Sequence, residues 1–154
     1  TGLPNRELFQ DRGQRSLLRA KREQTHFALM YMDLDKFKEA NDTYGHAAGD
    51  HLLKEAAGRI TDCVRETDTV VRFGGDEFVV LLDTVENRQN VLGVAEKIRL
   101  ALSEPYEWQE HEIELSVSIG IALFPEQGEQ ISQLIAAADE AMYKAKKRGK
   151  NCIR

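Results

Sequence analysis

Two consecutive glycines place the tightest constraint on how this chain folds. Thr69-Val70-Val71-Arg72-Phe73 is rich in β-branched and aromatic residues, Gly74-Gly75 follows, and Asp76 to Leu82 returns to apolar residues. Two such runs around a Gly-Gly pair predict antiparallel strands joined by a two-residue turn, because glycine reaches the positive φ angles of tight hairpins at no steric cost. A further run, Phe27 to Met32, is apolar and aromatic as a buried strand should be, and it leads into Asp33-Leu34-Asp35. Acids therefore sit at that strand's C-terminal end. Glu112 to Phe124 alternates around Ile113, Leu115, Val117, Ile119 and Ile121, which predicts another strand, paired with a shorter one near Tyr106 to Glu110.

Between these extended runs the apolar period changes. Leu52, Leu53, Ala56, Ala57, Ile60 and Val64 recur at helical spacing, as do Val91, Val94, Ala95, Ile98, Ala101 and Leu102, and again Ile131, Leu134, Ile135, Ala138, Ala141, Met142 and Ala145. A weaker pattern around Leu8, Phe9, Leu17 and Leu18 predicts a first helix, and Gly149 reads as the C-cap of the last. Helix, strand, helix, hairpin, helix, strands, helix is the order of an α/β sandwich of the α+β type, a mostly antiparallel central sheet covered by helices. The 154 residues suffice for one domain, taken as 1–154. The abrupt opening Thr1-Gly2-Leu3-Pro4-Asn5-Arg6 leads us to expect a domain excised from a longer multidomain protein.

Charge narrows the partners. Lys and Arg total 21 against 26 Asp and Glu, a net charge of −5, which argues against a nucleic-acid polymer or an acidic lipid surface as ligand. A small anion remains open wherever basic residues cluster. Cys63 and Cys152 lack metal-ligand spacing and read as reduced thiols, which predicts a cytoplasmic domain. No apolar run approaches the roughly 18 residues of a membrane span. Whether a longer protein carries a membrane anchor is left open.

Several side chains are suited to chemistry. Asp33 and Asp35, two apart on a strand, point to one side, where a divalent cation can bind carboxylate and carbonyl oxygen. Solvated strand-end acids are the alternative. Asp76 and Glu77 adjoin glycines that let a bulky anion approach the backbone, and two acidic strand ends together can hold two Mg²⁺ that clamp a triphosphate. Lys38, Asn41, His46 and Asp50 offer an ammonium, an amide, an imidazole and a carboxylate to one ligand, or else line a polar loop with Asp50 in a helix's first turn. Lys144, Lys146, Lys147, Arg148 and Lys150 crowd the end of the last helix, where the helix dipole already favours cations. Arg65 and Asp68, three apart, need be no more than a helix-end ion pair.

Arg72-Phe73-Gly74-Gly75-Asp76-Glu77-Phe78 carries the five letters for which the GGDEF family, the diguanylate cyclases, is named. The opening Thr1 to Arg6, Asp33-Leu34-Asp35-Lys36-Phe37-Lys38, Asn41 to His46 with Gly49-Asp50, Ser116-Val117-Ser118-Ile119-Gly120 and Ala138 to Lys146 resemble that family's other blocks in order and spacing. The resemblance spans essentially the whole chain.

It implies a fold related to nucleotidyl cyclases and polymerase palms, and the condensation of two GTP into cyclic di-3′,5′-GMP with release of two pyrophosphates. By resemblance Asp33 and Asp76, with the Leu34 carbonyl, are ligands of Mg²⁺ or Mn²⁺, and Glu77 is the second catalytic acid. Lys38 matches the lysine that steadies phosphate charge, Asn41 and Asp50 the guanine readers, and His46 a substrate-site residue beside Gly74 and Gly75. Lys146 and Lys150 match contacts to the terminal phosphates, Lys150 standing where the family often has arginine. Arg65-Glu66-Thr67-Asp68, with five residues before Gly74, matches the family's inhibitory RxxD site for cyclic di-GMP, with Lys97 on the following helix. A second domain of the same kind is implied for catalysis, and an upstream sensor domain for control. Two other functions compete: a GTP- or cyclic di-GMP-sensing module without turnover, and a cyclase that uses ATP.

Overall fold

In the computed structural model, which describes residues 3–154, β1 (His26–Asp35) is the pivot. It runs antiparallel to β3 (Glu77–Val85) on one side and β6 (Ser116–Phe124) on the other, and β2 (Thr69–Gly74) closes the far edge to give the order β2-β3-β1-β6. The four strands form an antiparallel sheet with helices on both faces, as the pattern predicts. Thr1 and Gly2 of the opening block lie outside the described residues.

Alternation along β1 decides what lies on each face. Phe27, Leu29 and Tyr31 join Phe9, Leu17 and Ala20 of α1 (Arg6–Glu23) and Leu134, Ala138 and Met142 of α5 (Ile131–Lys147) in one core. Ala28, Met30, Met32 and Leu34 pack instead with Leu52, Ala56 and Ile60 of α3 (His46–Asp62) and Val91, Ala95 and Ile98 of α4 (Arg88–Ser103). A strand covered on both faces has no polar side to show, which is why Phe27 to Met32 reads as an unbroken apolar run. The first helix starts where Asn5 Oδ1 accepts from Leu8 N at 3.0 Å, a side-chain N-cap. Arg148 is the C-cap of the last helix, and Gly149, expected in that role, follows one residue beyond at φ +119°.

Three expectations are corrected. Residues 37–50 form no polar loop: α2 (Phe37–Tyr44) and α3 meet at Gly45, whose φ of 97° turns the chain between them. The expected strand from Glu112 to Phe124 is two, because β5 (His111–Ile113) pairs with β4 (Tyr106–Trp108) in a separate small sheet before β6 begins. In the hairpin Gly74 pairs with Glu77, so the two turn residues are Gly75 and Asp76, not Gly74 and Gly75. The register slips between Arg72 and Gly74, leaving Phe73 as a bulge, and Gly75 takes the positive φ of 35° that the turn requires. Asp76 is thereby carried to the hairpin tip.

Candidate active site

The same alternation that sorts the cores assembles the site. Asp33 and Asp35 continue the face of β1 that Tyr31 presents to α5, and Glu77 sits opposite Asp33 across the β1–β3 ladder. The last turns of α5 cross this face, so Lys146 Nζ reaches Asp33 Oδ2 at 3.1 Å and Asp35 Oδ1 at 3.7 Å. Leu34 N donates to Asp76 O at 3.2 Å, fastening the hairpin tip to the end of β1. The carboxyl of Asp76 is close enough to act on that of Asp33.

Two carboxylates so close cannot both ionise comfortably. Burial, together with the hydrogen bond and charge of Asp76, pushes the Asp33 carboxyl up to about 7, against the opposing pull of Lys146. Asp33 Oδ1 is buried and has no hydrogen-bond partner. A divalent cation at this oxygen relieves both the repulsion and the unsatisfied acceptor, so the residues fit the expected metal. Among the described residues no three His, Cys, Asp or Glu side chains cluster to hold a metal by themselves. A Mg²⁺ held by two carboxylates would keep positions for phosphate oxygens and water. Glu77 is raised as well, first by burial and then by the charge of Asp139 on α5, while Tyr31 Oη donates to its Oε1 at 3.4 Å. Burial and that neighbouring carboxylate push the Tyr31 phenol up to about 12.

Asp35 is not the open ligand that its position beside Asp33 suggested. It is fully buried and accepts from Ser116 Oγ at 2.8 Å, Ser118 Oγ at 2.9 Å and Asn151 N at 2.9 Å. It therefore ties β6 and the turn after α5, which carries Lys150, to the end of β1. The alternating serines Ser116 and Ser118 on an otherwise apolar strand were the available signal for such a buried acceptor.

The remaining expected site residues come from α2, α3 and that last turn. Lys38 is exposed in the first turn of α2, and Asn41 is half-buried one turn on, with its Nδ2 3.4 Å from His46 Nδ1. Asp50 is exposed on α3, and Lys150 is exposed beyond α5 with φ +66°. Gly74 and Gly75 lie exposed at the hairpin end, and a Cβ at either meets no atom within 4 Å, so the backbone there is open to approach.

Arg65 and Asp68 lie at the other end of β3. Asp68 is turned inward with its side chain 1% exposed, and it accepts from Arg65 N at 2.8 Å, Arg65 Nε at 3.2 Å, Arg65 Nη2 at 3.1 Å and Asp83 N at 2.9 Å. The plain ion pair is thus a structural clamp, and Asp68 has no free edge for a ligand. Arg65 Nη2 also donates to the carbonyls of Asp83 and Thr84, while 58% of its side chain faces solvent. Arg65, Asp68, Cys63, Thr84 and Val94 border a cavity of about 310 Å³, and the ammonium of Lys97, exposed on α4, is close enough to act on the Cys63 thiol.

Comparison with known proteins places these features in a lineage. Residues 1–152 match the family model described as diguanylate cyclase, GGDEF domain. The chain is 47% identical over 151 residues to MucR of Pseudomonas aeruginosa, a bifunctional diguanylate cyclase/cyclic di-GMP phosphodiesterase, covering 98% of this chain and 22% of MucR. It is 40% identical over 155 residues to the diguanylate cyclase TpbB of the same species, covering all of this chain and 36% of TpbB. The chain therefore spans well under half the length of these relatives. Among solved structures, the GGDEF domain of TpbB superposes with a TM-score of 0.97 at 40% identity, covering 99% of this chain and 96% of that one. The GGDEF domain of DgcB from Caulobacter crescentus, solved with c-di-GMP, superposes at 0.90 with 29% identity, covering 99% and 91%. Family match, sequence identity and overall fold agree, and the chain belongs to the GGDEF domain family.

Proposed function

We propose that this domain is a diguanylate cyclase that joins two GTP into cyclic di-3′,5′-GMP and releases two pyrophosphates. The observation that carries the reading is the Asp33–Asp76 pair with its unpartnered Asp33 Oδ1, beside Lys146 and below an open glycine hairpin. Asp33, Asp76 and the Leu34 carbonyl hold Mg²⁺ or Mn²⁺, which supplies positive charge to the triphosphate when bound. Lys146 and Lys150 take the terminal phosphates, and Lys38 steadies the charge that develops at the α-phosphorus. Glu77, raised by burial, is suited to accept a proton from the attacking 3′-hydroxyl. Asn41 and Asp50 read guanine, with His46 beside them. An ionised Asp50 accepts the N1 and N2 donors that adenine does not offer in that pattern.

Each domain holds one GTP, and two domains face each other so that each 3′-hydroxyl attacks the partner's α-phosphorus as pyrophosphate leaves. The unit is one domain of a longer chain whose upstream sensor sets how often two copies meet. Product binds at Arg65, which Asp68 holds in place, with Lys97 alongside. A GTP-sensing module without turnover is the second reading, and its support is that relatives such as PdeR of Escherichia coli, 38% identical, are named cyclic di-GMP phosphodiesterases. Incubating the purified protein with GTP and Mg²⁺ and resolving the nucleotides chromatographically decides between them. Cyclic di-GMP formed by the wild type and lost in Asp76→Ala supports the cyclase, and GTP bound without product supports the sensor.

A further inference from the structure

Alpha helix α3 carries two internal glycines, although alanine is the better helix former at such positions. A Cβ at Gly58 meets nothing within 4 Å, so nothing there depends on the missing side chain. Gly49 is different. It is buried, and a Cβ built on it falls 2.0 Å from Asn41 Oδ1 and 3.1 Å from Asn41 Cγ, with Phe37 Cζ in ordinary contact at 3.4 Å. The Asn41 carboxamide therefore rests in the space that any side chain at position 49 takes up. Its other end lies against His46 Nδ1 at 3.4 Å, so glycine on one side and imidazole on the other define its orientation.

We infer that Gly49 is a specificity-positioning residue, whose missing side chain seats the Asn41 carboxamide where it reads the purine base. The inference rests on the reading of Asn41 as a guanine contact. The obstructing atom is the far end of a flexible side chain, so a methyl group at position 49 is relieved by rotation of Asn41 and not by movement of the backbone. The fold survives such a change while the base reader is displaced.

The test measures binding of 3′-deoxy-GTP and 3′-deoxy-ATP, which lack the attacking hydroxyl, and of inorganic tripolyphosphate, which has no base, by calorimetry with Mg²⁺ present. Gly49→Ala weakens 3′-deoxy-GTP about tenfold, the worth of one hydrogen bond, and narrows the guanine preference accordingly. It leaves tripolyphosphate unchanged, and its melting temperature equals or exceeds that of the wild type. Gly58→Ala, with the same gain in helix propensity, leaves all three ligands unchanged. In an Asn41→Ala background the clashing oxygen is gone, so adding Gly49→Ala weakens 3′-deoxy-GTP no further. Wild-type affinity and preference in Gly49→Ala overturn the inference, as does an equal loss with and without Asn41. A wild type that binds the two purine nucleotides alike overturns the guanine reading, and this inference with it.

Discussion

Replacing Gly120 by alanine tests how the site is held together. Gly120 lies on β6 opposite Tyr31 of β1, and a Cβ there falls 2.0 Å from the carbonyl oxygen of Ala138, 2.3 Å from the nitrogen of Met142 and 2.9 Å from the carbonyl carbon of Ala141. All three are backbone atoms of α5, which no rotamer change can move aside. Since Cβ atoms essentially never approach a heavy atom within 3.0 Å, the helix must retreat by about 1 Å. Overpacking of this kind costs about 3 kcal/mol, the upper part of the usual range because nothing flexible yields. The retreat also carries Lys146 away from Asp33 and Asp35, now 3.1 and 3.7 Å distant. A displacement of that size at a charged contact lowers kcat/KM by about 100-fold. Urea denaturation read by circular dichroism gives the stability change, with the m-value unchanged, and initial rates of GTP consumption give the second number. A stability loss below about 1 kcal/mol together with wild-type rates would show that α5 shifts freely on the sheet, and would refute the close-approach argument.

Asp35→Ala strips the acceptor from the buried Ser118 hydroxyl and the Asn151 N–H, so urea midpoints should show a loss of about 3 kcal/mol at one to three per orphaned donor, and a change within experimental error counts against the network. Arg65→Ala should raise the cyclic di-GMP concentration that halves turnover by about tenfold while KM for GTP stays put; an unmoved inhibition curve leaves Arg65 as the partner of Asp68 alone. Asp50→Ala should lose most of the preference for GTP over ATP in competition assays, because it removes an acceptor that adenine cannot fill. Specific activity should rise with protein concentration as two domains meet, and a flat dependence from a monomer speaks against a two-domain reaction.

Much of this site was legible in the residues because the local signals are strong. The odd positions of β1 share a face whatever surrounds them, so Asp33 and Asp35 on one side followed from alternation alone. What alternation does not report is depth. Asp35 is closed over by Ser116, Ser118 and Asn151, 81 to 116 residues away in sequence, while Asp33 keeps an unpartnered oxygen. The segment from Phe37 to Asp50 left a polar loop open as a reading because α2 is short and mostly solvated, and the apolar period of α3 shows only from Leu52 on. The glycine turn was misplaced by one residue because two adjacent glycines make either register sterically available, and pairing with β1 and the bulge at Phe73 select one.

The sequence by itself determined the α+β architecture, the helices α3, α4 and α5, the hairpin and the family, because each rests on periodicity or on a contiguous motif. Only the tertiary structure decided that Asp76 stands at the hairpin tip against Asp33, and that Lys146 reaches both aspartates of β1. It also turned Asp68 inward to clamp Arg65, and set Asn41 over Gly49. Each of these depends on where elements distant in the chain, or the helices α2 and α3 meeting at Gly45, come to rest against each other. That placement follows from packing both faces of one sheet at once, which no local stretch of residues encodes alone.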